Sequence, residues 1–348
     1  MPDVKLLRDI MHALPNPRGR HARILAGECQ LIGGISIEIL RLRILEYAAH
    51  LSHIAFHRSQ SGADSARHMD ALQIAGIETR YQTIEQTCVR GFATAALSAA
   101  SLPAQAHFQL LYTPQVMVEK PGKIPLKLVF AHPMENGHMM DMGKPEQFFV
   151  MLKDDKKEDL LPTLKEVSWQ GSKNKGKAYS AEYGIKLNGD YIFALVPEPY
   201  FEESESTYIQ QITKSYVNKG AMPTHWSKPV GLPTEIVPMN KPYQNFAGGT
   251  FTGQVLSQGK PAAGVECEIE YINTDVDVKN NRFGKGTKGT VPDSAMVAVT
   301  DSNGMFTFGI PKAGVWGFAC LGSGPAKTYK GKELSQDAVL WINATPMK

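Results

Sequence analysis

From residue 107 onward, apolar and polar positions alternate in short runs, and each run ends in a cluster of turn-forming residues. Residues 108–112 run into Thr113-Pro114, and 115–119 into Lys120-Pro121-Gly122. In 124–132 the side chains of Ile124, Leu126, Leu128, Phe130 and His132 share one face, because successive residues of an extended chain point to opposite sides. Further strands are predicted at 148–152, 167–170, 178–186 and 191–196, separated by Gly, Asn, Asp and Lys clusters. Residues 198–243 are less regular and rich in proline, so they read as a long connection draped over the first unit, in which 208–217 could form a strand. A second unit begins near Gly248. Residues 249–256 read as a strand, Gly259-Lys260-Pro261 as a turn, and Val265, Cys267, Ile269 and Tyr271 alternate inward. After a polar loop over 273–293 come 296–300, the turn Asp301-Ser302-Asn303-Gly304, then 306–310 and 315–321. The expectation is an all-β protein of two antiparallel β-sandwiches, 107–245 and 246–348.

Residues 1–106 follow another pattern. Their basic residues are 10 Arg and 1 Lys, whereas beyond them Arg282 is the one arginine among many lysines, so the two stretches do not read as one domain. Residues 91–106 carry no charge, Arg90 stands just upstream, and Ala104-Gln105-Ala106 has the small-x-small form of a signal-peptidase site. Cleavage there would leave His107 as the mature N-terminus. Such a leader is far longer than an ordinary signal peptide of roughly 15–30 residues, so the expectation is a start further downstream, with Met69 and a codon nearer Arg90 as candidates. Helix-like apolar spacing over 24–57, with His50, His53 and His57 at helical intervals, leaves room for an extra amphipathic helix. The plainer reading of Ala104-Gln105-Ala106 is an alanine-rich helix.

Composition narrows the choice of function. A net charge of +3, with lysines scattered among acids, does not suggest nucleic acid. In 107–348 no apolar run is long enough to span a bilayer, so the processed chain is expected to be exported to the periplasm without a membrane span. Cys267 and Cys320 are too far apart for a CxxC site; in an oxidising compartment they could pair, and two buried thiols are the alternative. No Ser/His/Asp order, phosphate-binding glycine loop or HExxH is present, so no catalysis is predicted.

The candidate chemistry is metal binding. An N-terminal histidine offers its α-amine and its imidazole to one ion. If 107–112 pairs antiparallel with 124–132, the start of one strand lies beside the end of the other, and His107 meets His132. The loop that follows carries Glu135, His138 and Asp141 among Met134, Met139, Met140 and Met142. The expected ligands are His107 and His132, with Asp141 or His138 and then Glu135 as further candidates. Imidazole suits nickel, cobalt, zinc and copper, and thioether would tilt the choice toward copper(I). Each residue also has a plainer role: His132 as a core histidine, His138 as a solvated one, the methionines as packing, and His225-Trp226 as structural. Glu202, Glu203 and Glu205 read as a solvated acidic loop, with completion of a site as the lesser alternative.

Two resemblances add to this. The first sandwich is expected to be immunoglobulin-like; the strand, Asp-x-x-Gly turn and aromatic strand of the second resemble the transthyretin-like (carboxypeptidase-regulatory-like) sandwich, in fold only. More specifically, His107-Phe108, His132-Pro133-Met134-Glu135 with Met140-Asp141 and Lys144-Pro145, Pro199-Tyr200 before the acidic loop, Gly231-Leu232-Pro233-Thr234-Glu235-Ile236-Val237-Pro238, Gly253-Gln254-Val255 and Ala338-Val339-Leu340-Trp341 resemble one family. It is the NikM-like domain-of-unknown-function family associated with the periplasmic component of cobalt/nickel ABC uptake systems, and the likeness covers 107–348. His138 and His225 fall outside its pattern. The resemblance implies an exported, non-catalytic metal-handling protein, with nickel or cobalt as the ion and a cobalt/nickel ABC transporter or outer-membrane receptor as partner. Two alternatives remain: a copper-binding protein or histidine-brace copper oxygenase, for which no aromatic platform is evident in the sequence, and a metal-free assembly or adhesion module.

Overall fold

The computed structural model describes residues 107–134, 138–289 and 295–347. The leader expected over 1–106, its cleavage motif and the candidate ligand Glu135 lie outside the described residues. Among those described, strands dominate, the helical pieces are single 3-10 turns at Lys153–Asp155 and Leu161–Thr163, and no helix is long and apolar enough to cross a membrane. The all-β expectation holds.

The strands form three sheets. A 7-stranded sheet runs in the order Phe108–Tyr112, Gly122–Ala131, Lys175–Ile185, Lys165–Gln170, Arg282–Phe283 and Val276–Asp277, with Met139–Met140 added beside Gly122–Ala131. A 12-stranded sheet is built on the path Met296–Val299, Glu266–Tyr271, Gly314–Cys320, Lys332–Thr345, Thr207–Lys219, Gly189–Val196, Gln147–Leu152 and Lys156–Asp159. A 4-stranded sheet holds Thr234–Pro238, Thr250–Ser257, Lys260–Pro261 and Met305–Gly309.

The 7-stranded sheet is buried on both faces at its Phe108–Tyr112 edge, which explains why Phe108, Gln109, Leu110 and Leu111 are all buried in succession rather than alternately. One face, through Leu128, Phe130 and Leu111, meets Phe148, Phe193 and Leu195 of the large sheet. The other, through Phe108, Leu110 and Trp169, meets Ala319, Val339 and Trp341. The opposite side of those last strands, with Phe318 and Leu340, packs on Phe251 and Phe306 of the smallest sheet. Each fully buried Phe or Leu contributes roughly 1.5–3 kcal/mol relative to exposure, so these three layers supply the main drive to fold. Cys267 and Cys320 face each other in adjacent antiparallel strands and form a disulfide.

One expectation is corrected. The stretch 198–243 is no draped connection: Thr207–Lys219 is a central strand, antiparallel to Gly189–Val196 on one side and parallel to Lys332–Thr345 on the other. The register Tyr208↔Leu334 through Lys214↔Leu340 thus makes one backbone ladder continuous across the expected boundary at 245/246. The strand allowed for over 208–217 is present, and its central place was concealed by its polar residues Gln210, Gln211, Thr213, Lys214, Ser215 and Asn218, all buried.

Candidate metal centre

The antiparallel pairing Phe108↔Ala131 sets His107 opposite His132 at the end of two neighbouring strands. Their ring centroids lie 4.6 Å apart at an interplanar angle of 54°. His132 is 3% exposed, and its backbone N–H donates to the His138 carbonyl at 3.2 Å. The strand that carries His107 is an edge strand, and side chains of the large sheet satisfy its outer backbone groups. Gln109 N–H donates to Gln211 Oε1 at 2.7 Å, the Gln109 carbonyl accepts from Trp341 Nε1 at 2.8 Å, and the His107 carbonyl accepts from Gln211 Nε2 at 2.7 Å. Gln211 and Trp341 therefore fix where His107 stands.

Glu202 completes the surroundings of His107. It closes the short strand Tyr200–Glu202, which pairs antiparallel with Thr207–Lys219, so the intervening turn folds the carboxylate back. Its Oε2 lies 3.0 Å from His107 Nε2, and its Oε1 accepts from Ser204 Oγ at 2.6 Å and Ser204 N–H at 3.1 Å. Burial alone would raise the Glu202 pKa; the Ser204 hydrogen bonds and His107 outweigh it, and the carboxyl is held below its usual range. The side chains of His107 and Glu202 remain 12% and 14% exposed, so the pair stands at the protein surface without being freely solvated. Phe130 and Tyr200 wall the site, with ring centroids 5.8 and 6.4 Å from His107 and 5.4 Å from each other. Phe130 and Tyr200 are far apart along the chain, where no aromatic platform is evident. Burial, then the charges of Glu202, Glu203 and Asp141, pushes the Tyr200 hydroxyl pKa up. A small recess beside it is lined by Gln109, Phe130, Met142, Glu198, Tyr200 and Gln211.

The other candidates are placed as follows. Asp141 is exposed, and its Oδ1 accepts from the Lys177 N–H at 2.6 Å. His138 is exposed and meets His132 through its backbone. Met134, Met139, Met140 and Met142 are buried in the hydrophobic cores, as packing residues are. His225 is structural: its ring bonds Thr224 Oγ1 and the Met151 carbonyl, and its N–H donates to Asp190. Among the described residues no group of three or more His, Cys, Asp or Glu side chains is arranged to hold a metal ion. The donors in place are thus two adjacent imidazoles with a carboxylate on one of them. Two imidazoles fit nickel, cobalt, zinc or copper, provided further donors come from elsewhere, and the α-amine of an N-terminal His107 would be one. From sequence, Glu202 reads first as part of a solvated acidic loop and only second as completing a site; the signal that favours the second is that Tyr200–Glu202 begins a hairpin onto the strand that anchors His107.

Comparison with known proteins adds a family and no activity. No curated protein matches the chain. Among solved structures, the fibronectin(III)-like modules of Clostridium thermocellum CbhA align at 8% identity over 69% of this chain and 95% of that one, with a TM-score of 0.18. The two tandem V-type regions of VCBP3, a v-region-containing chitin binding protein, align at 10% identity over 67% and 98%, with a TM-score of 0.19. At such scores the likeness carries no argument, and the all-β architecture rests on the strands themselves. The chain belongs to the family described as domain of unknown function (DUF4198), whose model matches residues 104–324.

Proposed function

We propose that the chain is an exported, periplasmic protein that binds one divalent first-row transition-metal ion and assists nickel or cobalt uptake. The observation that carries this is the juxtaposition of His107 and His132 at the ends of two paired strands. Removal of everything through Ala106 would add an α-amine to the donors on His107, and no internal histidine can supply that chelate. The buried Cys267–Cys320 disulfide is in keeping with an oxidising compartment. His107 and His132 are the ligands, Asp141, His138 and Glu135 the further candidates, and no catalytic step is assigned. A cobalt/nickel ABC transporter or an outer-membrane receptor would be the partner. Nickel and cobalt follow from the family resemblance, whereas copper would bind more tightly to the same donors, so metal supply decides between them.

Calorimetric titration of nickel into protein that begins at His107 tests the reading. One tight site is expected, lost in His132→Ala and lost again when a single residue precedes His107. Equal binding by the extended chain would exclude the amine and remove the reason for cleavage at that point.

A further inference from the structure

We infer that Glu202 is a positioning residue for this centre: it holds the His107 ring proton on Nε2 and thereby presents Nδ1, the nitrogen that can chelate together with the α-amine. This rests on the metal reading given above and specifies which atom of His107 does the binding.

Glu202 accepts two hydrogen bonds from Ser204 on Oε1, as a carboxylate does, so the ring atom 3.0 Å from its Oε2 is the donor. In a neutral imidazole one nitrogen carries the proton and the other the lone pair. Donation from Nε2 therefore puts the lone pair on Nδ1. The chain linking the α-amine to Nδ1 runs through Cα, Cβ and Cγ, short enough to close a ring around one ion, whereas Nε2 lies on the far side of the imidazole and cannot share an ion with the amine. The arrangement is held from both ends. Ser204 bonds the other oxygen of Glu202 twice, and Phe130 and Tyr200 flank the His107 ring. A carboxylate on the distal nitrogen also makes the ligand more basic, and loss of such a partner typically weakens metal binding by about 10–100-fold.

The rival arrangement has Glu202 as a ligand, with the ion between it and Nε2. That would break the hydrogen bond and forfeit the chelate with the amine. The two arrangements differ in a readout that stability does not move: the nitrogen-15 shifts of the His107 ring.

The test uses the chain from His107 onward, which contains every strand and core cluster described above, with nickel ion as the probe. In the metal-free protein the neutral His107 ring should be the Nε2–H tautomer, and nickel should displace the Nδ1 signal. Glu202→Ala should weaken nickel binding by about 10–100-fold and let the Nδ1–H tautomer appear, with an unchanged thermal melt. Glu202→Gln keeps an acceptor oxygen and should recover most of the affinity; the exposed Glu203→Ala should change nothing. An Nδ1–H ring in the unsubstituted protein, a nickel-induced shift at Nε2, or full affinity in Glu202→Ala would overturn the inference and leave the metal reading standing. No nickel binding by the unsubstituted protein would overturn both.

Discussion

The strand Thr207–Lys219 touches polar clusters made of the same kinds of residue at both of its ends, and they differ in whether they are closed. Toward its C-terminal end, Lys214 is 0% exposed and pairs with Glu235 at 2.7 Å. The Glu235 carboxylate also accepts from the N–H groups of Val230, Gly231 and Leu232. A few residues on, Asp190 takes Asn218 and Tyr243 on one oxygen and the N–H groups of Thr224, His225 and Trp226 on the other. Burial would raise the Asp190 pKa, yet these bonds outweigh it and the carboxyl stays below its usual range. Lys214 is lowered by burial despite Glu235. Near the N-terminal end of the strand, Gln211 holds the His107 backbone, and His107 and Glu202 lie where the ladder stops and solvent begins. In these clusters the charged groups Lys214, Glu235 and Asp190 have their partners within the fold. Capacity to take a ligand is left where strands end, which is why chemistry is assigned to His107 and not to Lys214.

Breaking the closed cluster should have the largest effect. Glu235→Ala leaves the Lys214 ammonium buried without its counter-charge and strips an acceptor from three backbone N–H groups, a change expected to cost about 3–5 kcal/mol. Urea unfolding measures it. Protein that remains folded should bind nickel as before. A cost below about 1 kcal/mol would mean that water reaches Lys214 and that the cluster is not closed.

The same contrast separates what the sequence discloses from what it conceals. Alternation and turn clusters reveal the strands of the two sandwiches, since Ile124, Leu126, Leu128 and Phe130 can share a face in only one way. The meeting of His107 with His132 is also legible, because a short antiparallel pairing places the start of one strand at the end of the next. A strand over 208–217 is legible as a possibility, but the central place of Thr207–Lys219 is not. Its buried Gln211, Lys214 and Asn218 look solvated until their partners at His107, Glu235 and Asp190 are known, and those lie far away in sequence. Glu202 is hidden for the same reason: its role depends on a hairpin that folds onto that strand.

A cluster of intermediate character sharpens the comparison through pH. Burial, with the carboxylates of Asp337, Glu266 and Glu205 nearby, pushes Glu268 up to about 7. Burial pushes Asp337 up to about 6 despite hydrogen bonds from Ser335, Gly322 and Gln211. In both cases the folded chain holds its proton more tightly than the unfolded chain, whose carboxyls titrate near their ordinary values of 4.5 and 3.8. Between those values and about pH 7 the folded state binds more protons, so this contribution lowers stability as pH rises and is fully destabilising above pH 7. Glu268→Gln should therefore stabilise the protein by on the order of 1–2 kcal/mol at about pH 8 and hardly at all at about pH 4. Melting curves at the two pH values check this. An equal gain at both would assign the effect to packing rather than charge.

The smallest effects should come from the methionines nearest the open site. Met140 and Met142 are 2% and 3% exposed and belong to the core that contains Phe130, Phe148 and Phe193. Met142 Sδ has a hydrogen bond already, from Gln109 Nε2 at 3.5 Å, on the residue whose backbone helps to anchor His107. Leucine conserves the volume at both positions, so Met140→Leu and Met142→Leu should each cost less than about 1.5 kcal/mol, with Met142→Leu the dearer because it alone loses a polar contact. Thioethers are the donors that would favour copper(I) over nickel, so titrations with both ions test whether the methionines belong to the packing or to the site. Unchanged affinities place them with the closed interior. A loss of about tenfold for copper(I) alone would move Met142 to the open side of the comparison and turn the choice of metal toward copper.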